Sequence, residues 1–269
     1  MNDLHRGLAP LTRRAFELID EEARSALKVT LAARKLVDFS GPQGWAFSAL
    51  GLGRTRSLEE PPQAGVTGAL RLVQPMVELR APFELRRAEV DAIGRGARDA
   101  ELDPVRLAAK AIARAEDRAV FHGYGAAGIE GIFEAAQGAT LPLTPNYEEY
   151  PAAVAKALAK LRSAGVDGPY GIALGPRCFT GLTQTTTKAG YPVIQHVQRL
   201  LDGPLVWAPA VDGAVVMSLR GGDFELTVGR DFSIGYLTHT AETVSLYIEE
   251  SFTFRVLASE AAVPLVYGA

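Results

Sequence analysis

The stretch Thr243-Val244-Ser245-Leu246-Tyr247-Ile248-Glu249-Glu250-Ser251-Phe252-Thr253-Phe254-Arg255-Val256-Leu257 decides how the chain is read. Val244, Leu246, Ile248, Phe252, Phe254 and Val256 share one face, and only Glu250 interrupts it. A period of two is the mark of a half-buried strand. At about 3.3 Å per residue it would reach roughly 45 Å, whereas ordinary strands hold about 3 to 10 residues. A face that long must be covered along its whole length, and its backbone edges need partners.

A second pattern of the same kind runs from Val73 to Leu85. Val73, Pro75, Val77, Leu79, Ala81, Phe83 and Leu85 alternate with Gln74, Glu78, Arg80 and Glu84. Pro75 and Pro82 cannot donate to a ladder, which places this strand at a sheet edge or at bulges. Helical spacing appears elsewhere. Phe16, Ile19, Ala23, Ala26, Leu27 and Leu31 predict a helix from Thr12 to Lys35. Asp103 as N-cap and Pro104 as first helical residue open a second, with Val105, Ala108, Ile112, Ala115 and Ala119 as an Ala-rich stripe toward His122. A third runs from about Pro151 to Ala164, stopped by Gly165, with shorter helices near Cys178 to Thr187 and Val193 to Leu201. Gly41 to Gly68, rich in Gly and Pro, reads as a long extended excursion without regular structure. An α+β subunit with long strands, a long helix and such an excursion is elongated, and its open edges predict self-assembly.

Composition narrows the function. The 269 residues are 48% hydrophobic and 22% charged, ordinary globular values for a chain that can bury roughly three quarters of its surface. A net charge of -3, spread along the chain, gives neither the clustered Lys and Arg of a nucleic-acid binder nor a footprint for an anionic membrane. A single cysteine, Cys178, excludes an internal disulfide and fits a reducing cytoplasm. No signal-peptide core and no apolar run of about 18 residues is present.

The chemical motifs are thin. Gly123, Gly125 and Gly128 match G-x-G-x-x-G with Glu148 downstream, but they follow a predicted helix where a dinucleotide site would follow a strand. A glycine-rich helix exit is the better reading. His5, His122, His196 and His239 lack metal-ligand spacing. The acidic pairs Glu21-Glu22, Glu59-Glu60, Glu148-Glu149 and Glu249-Glu250 read as solvated faces and helix starts. Cys178 has only Arg177 beside it as a local activator. Neither catalytic residues nor a cofactor or metal is expected.

Several strings carry a resemblance across nearly the whole chain. They are Leu8 to Thr12, Gly41-Pro42 with Gly44-Trp45, Pro82-Phe83 with Leu85, Glu116-Asp117, and Phe121-His122-Gly123. Ala164 to Tyr170, Gly190-Tyr191-Pro192, Arg220 to Phe224, Ser233-Ile234-Gly235-Tyr236 and Glu250 to Phe254 follow in order. In these the chain resembles encapsulins of the linocin type. The resemblance implies an α+β, phage-capsid-like fold of the Hong Kong 97 type, with a peripheral domain, an axial domain and an extended loop. The expected division is 1–45 and 73–134 for the peripheral domain, 46–72 for the extended loop, 135–223 for the axial domain, and 224–269 for closing peripheral strands.

The implied function is a shell subunit that closes with about 60 copies of itself into an icosahedral cytoplasmic nanocompartment, without nucleic acid or membrane. It would enclose a cargo enzyme, such as a dye-decolorising peroxidase or a ferritin-like protein, through the cargo's C-terminal targeting peptide. Arg34, Asp38, Ser233, Ile234 and Tyr236 match the family's cargo-peptide pocket. Thr183, Gln184, Thr185, Thr186, Thr187, Lys188, Ala189 and Gly190 match its five-fold pore loop. Some relatives bind flavin with a Trp just after the strand near residue 85. Arg86, Arg87 and Ala88 stand there instead, so no flavin is expected. A viral major capsid protein is the alternative on the same fold, and a bacteriocin or protease a further one.

Overall fold

The computed structural model describes residues 3–188 and 190–268. The chain runs through α1 (Arg13–Thr30), β1 (Asp38–Ser40), β2 (Ala49–Leu58), β3 (Gly68–Pro75), β4 (Val77–Arg86), α2 (Arg87–Gly94) and α3 (Asp103–His122). It continues through α4 (Ile132–Ala135), β5 (Leu141–Leu143), α5 (Tyr150–Ser163), β6 (Tyr170–Leu174), α6 (Pro176–Gln184), α7 (Val193–Leu200), β7 (Leu205–Trp207) and β8 (Ala214–Ser218). It closes with β9 (Phe224–Val228), β10 (Ser233–His239), β11 (Thr243–Val256) and β12 (Ala262–Tyr267).

The 14-residue β11 organises the first sheet. Along one side it takes β4, antiparallel, from Thr243 opposite Arg86 to Phe252 opposite Val77. Along the other it takes β10 and then β9 in tandem, with Ser233 opposite Glu249 and Val228 opposite Phe252. Residues 229–232 form a bulge between them, in which the Gly229 N–H donates to the Ser251 carbonyl and the Ser251 N–H to the Arg230 carbonyl, and β1 adds to β9 in parallel. Among the described residues β4 has β11 as its only strand partner. Pro82, exposed within it, faces the edge, as its missing N–H requires.

Helices α1, α2 and α3 cover this sheet. Ile19 and Ala23 of α1, Val105, Ala109 and Ile112 of α3, and Leu85, Leu246 and Ile248 of the strands form one buried cluster. The alanines of α3 let the two helices approach closely. A second sheet, ordered β5-β12-β8-β6-β7, is packed by α5 and α6, with α7 lying against both helices. Its cluster also takes in Phe121 at the end of α3 and Phe252 and Phe254 at the end of β11. Helix α3 thus spans two apolar clusters, and Glu116 and Asp117 lie fully buried where it passes from one to the other.

Several expectations shift. Helix α1 stops at Thr30, short of Lys35. The Ala32 and Ala33 N–H groups donate to the Asp117 carboxylate at 2.9 Å each, and this turns the chain out of the helix. The stretch from Val73 to Leu85 is two strands that part at Met76. The excursion between Gly41 and Gly68 is not structureless. Most of it belongs to an exposed antiparallel ribbon of β2 and β3, which pair only with each other among the described residues. The N-cap of α3 is Leu102, one residue before Asp103, and Ala115 on its expected stripe is exposed. The last strand, β12, pairs with β8 and β5 and so belongs to the second sheet, apart from the other strands after residue 224.

The glycine motif is a helix exit. Gly123 ends α3 at φ 86°, and Tyr124 then bridges to Ile129. Cys178 is buried, 3.1 Å from the Tyr150 hydroxyl, and burial pushes its thiol up, the opposite of an activated nucleophile. No group of three potential metal ligands occurs among the described residues, and no helix there is long and apolar enough to cross a membrane.

Candidate functional site

A groove of about 500 Å3 opens between α1 and the start of β10. Leu27 of α1, Leu31 at its C-cap, and Ile234 and Ile248 from the sheet supply its apolar floor. These positions follow from the two periodicities already described: the core stripe of α1 turns one flank toward the sheet, and β10 presents alternate residues to it. Polar groups stand around the rim, with Arg24 and Lys28 on α1 and Ser233 at the strand's start.

Arg34 closes one end. Its Nε and Nη2 donate to Glu116 at 2.9 and 2.5 Å, Nη1 to Asp231 at 2.7 Å, and Nη2 also to Glu250 at 3.2 Å. Its guanidinium carbon lies 4.5 Å from the centre of the Phe232 ring. Asp231 and Phe232 reach it because the bulge between β9 and β10 re-aims them off the ladder. Burial opposes the charge on Arg34, but the hydrogen bond and charge of Glu116, followed by Asp231, outweigh it and raise its pKa. Glu250, with no exposed surface, is held well above the ordinary carboxylate range, by burial first and by the neighbouring Glu116 second. Asp117 next door is pushed up to about 7 by burial, against the opposing N–H groups of Ala33 and Ala32. One cation therefore neutralises a wall that carries more carboxyls than it can balance in ionised form.

Three of the five pocket residues expected from sequence, Arg34, Ser233 and Ile234, line this groove. Tyr236 does not line it; its backbone N–H donates to the Leu4 carbonyl, which belongs to a lining residue, and its phenol lies 2.5 Å from Nδ1 of His239. Asp38 lies outside, where its carboxylate accepts from the Gly222 N–H at 2.6 Å and holds the turn before β9. Arg34 and Asp38 are not partners. The residues that do hold Arg34 (Glu116, Asp231 and Glu250) went unassigned in the sequence. Only the break that Glu250 makes in the apolar face of β11 signalled them. The reading of Glu249-Glu250 as a solvated pair is corrected: both are buried, and Glu249 lies 3.0 Å from Arg230 and 2.9 Å from Arg80.

The expected pore residues form the end of α6 and the turn into α7. Thr183 and Gln184 close the helix, the Thr183 hydroxyl donating to the Phe179 carbonyl at 2.8 Å. Thr185 caps it, Thr186 bridges to Pro192, and Thr187 exchanges hydrogen bonds with Tyr191. Gly190, at φ 78°, donates back to the Thr187 carbonyl, and Lys188 is exposed on the turn. Ala189 lies outside the described residues.

Known folds place this architecture. Over 93% of this chain and 98% of the other, it matches the crystal structure of a virus-like particle from Pyrococcus furiosus with TM-score 0.64 at 17% identity. Over 86% and 90% it matches the capsid of Myoviridae phage XM1 with TM-score 0.55 at 8% identity. The fold is that of a Hong Kong 97 type capsid subunit.

Sequence comparison is closer still. The family Linocin_M18, described as encapsulating protein for peroxidase, matches residues 1–253. The type 1 encapsulin shell protein of Rhodospirillum rubrum is 58% identical over 98% of this chain and 96% of its own length. The chain belongs to the encapsulin shell protein family. Its role is structural, a capsid-like shell subunit and not a catalyst.

Proposed function

We propose that this chain closes with copies of itself into an icosahedral cytoplasmic compartment of about 60 subunits. It encloses an oxidative or iron-handling enzyme whose C-terminal tail seats in the groove between α1 and β10. One observation carries the reading: an apolar floor with a polar rim, open to solvent and lying beside Arg34, Ser233 and Ile234. Such a groove suits a short, mostly apolar tail of low individual affinity, made effective by many copies on one inner wall. The family's description as encapsulating a peroxidase supports a peroxidase as the cargo.

In this reading the second sheet and its helices, within 135–223 and joined by β12, form the axial domain, and the turn from Thr183 to Gly190 lines the five-fold pore. The first sheet with α1 and α3 is the peripheral domain, and the ribbon of β2 and β3 is the extended loop. That ribbon exposes Leu58, Val66, Leu70 and Val73, apolar surface of the kind a neighbouring subunit would cover.

The test is purification with cargo. The assembled protein should sediment as a megadalton particle carrying an enzyme with it. Ser233→Trp, which fills the groove at its rim, should leave the particle intact and remove the enzyme. A stable small oligomer at micromolar concentration ends the shell reading, and full loading of Ser233→Trp particles ends the groove reading.

A further inference from the structure

We propose that the segment Asp3–Arg6 forms a third wall of the groove and positions the incoming tail. The inference rests on the groove being the tail site. Leu4 and Arg6 both line it, facing the floor made by Leu27 and Ile234. The segment is tied to both long walls at once. On the strand side, Asp3 pairs with Arg230 of the bulge, and the Leu4 carbonyl accepts the Tyr236 N–H at 2.9 Å. On the helix side, Arg6 reaches Asp20 of α1 at 2.7 Å and stacks 4.2 Å over the Phe16 ring.

The backbone is shaped for this bridge. His5 holds a φ of 51°, the only positive φ of a non-glycine among the described residues. A side chain adopts that left-handed conformation at a cost, and it persists where surrounding contacts over-determine it. The contacts on either side of His5 run in different directions, Leu4 to β10 and Arg6 to α1. The Tyr236 N–H points away from β11, so Leu4 occupies the outer edge of β10, which has no other strand partner among the described residues.

The chemistry follows from the enclosure. An aliphatic side chain of the tail resting on Leu27 and Ile234 gains contact from Leu4 as a third side, which favours apolar tail residues over polar ones. The ties are few and partly exposed, with Asp3 and Asp20 retaining 31% and 32% of their side-chain surface. A wall held that lightly can open to admit a tail and close on it.

The probe is a fluorescent protein fused to the C-terminal tail of the enzyme that co-purifies with wild-type shells, present at a series of concentrations while dissociated subunits reassemble, because the groove faces the closed interior. Leu4→Ala, which removes the apolar contact, and Asp3→Lys, which reverses the tie to Arg230, should each weaken binding by about fivefold or more. Leu4→Met should bind as wild type, and all three should keep the wild-type particle size and melting temperature. Wild-type or tighter binding by both Leu4→Ala and Asp3→Lys overturns the third wall. Ser233→Trp separates the two readings. If it abolishes binding while both segment variants bind normally, only the wall fails; if it too binds normally, the groove itself is the wrong site.

Discussion

The Arg34 guanidinium and the Glu250 carboxylate meet at 3.2 Å where the bulge between β9 and β10 leaves Glu250 out of register with either strand. Glu250 interrupts the apolar face of β11 because, with Glu116 and Asp231, it surrounds the Arg34 guanidinium at this end of the groove. Arg34, which lines the groove, is therefore also a structural residue.

That double role makes Arg34→Ala a stability variant before it is a binding variant. Removing the cation leaves Glu116, fully buried, without its counter-charge, and breaking one side of a buried pair costs about 3 to 5 kcal/mol. The expected result is a lower melting temperature and a lower yield of assembled particles, with cargo loss following from both. Combining Arg34→Met with Glu116→Leu removes the orphaned charge and should recover much of the lost stability. A single Arg34→Ala variant that melts like wild type would show that the cluster is not the structural tie described.

The buried carboxyls also set a pH dependence. Asp117 is raised to about 7 and Glu250 is raised well above the ordinary range, in each case by burial first. Each holds a proton in the folded chain that the unfolded chain has released, so its contribution is full below about pH 4. It falls as pH rises, and for Asp117 it is gone above about 7. His122 runs the other way, since burial first of all lowers its pKa and favours the fold as pH rises toward about 6.5. The variant comparison isolates the carboxyls: Glu250→Gln should lose less melting temperature between pH 5 and pH 8 than wild type. A steeper loss in the variant would reverse the assignment.

The glycines after α3 separate a helix exit from a nucleotide loop. A Cβ on Gly131 would lie 2.1 Å from the Gly123 nitrogen and 2.4 Å from the His122 carbonyl carbon, whereas a Cβ on Gly125 meets nothing within 4 Å. Gly131→Ala should therefore cost several kcal/mol, about 3 or more, and abolish soluble shells. Gly125→Ala should leave thermal stability within about 0.5 kcal/mol of wild type. Equal effects at the two positions would contradict the close approach seen at Gly131.

The groove was only partly legible before the fold was known. Ser233 and Ile234 were reached through the string Ser233 to Tyr236 that carries the resemblance, and the stripe of α1 that leads to Leu27 and Leu31 is strongly periodic. Asp38 illustrates the limit. It stands four residues after Arg34, yet the chain between them leaves its short 3-10 turn and enters β1, which carries Asp38 to Gly222 on another wall. Proximity in sequence did not become proximity in space.

The periodicities of β11, β4, α1 and α3 were in the sequence because burial of one face imposes them residue by residue, whatever the partner. The string matches likewise pointed to a capsid-like shell subunit. Which sheet β12 joins, where α1 stops, and that Glu116, Asp117, Glu249 and Glu250 are all buried came only with the tertiary structure. A carboxylate has the same local pattern on a wet face and in a neutralised interior. Its role is decided by groups brought from far along the chain, as Arg34 is brought to Glu250.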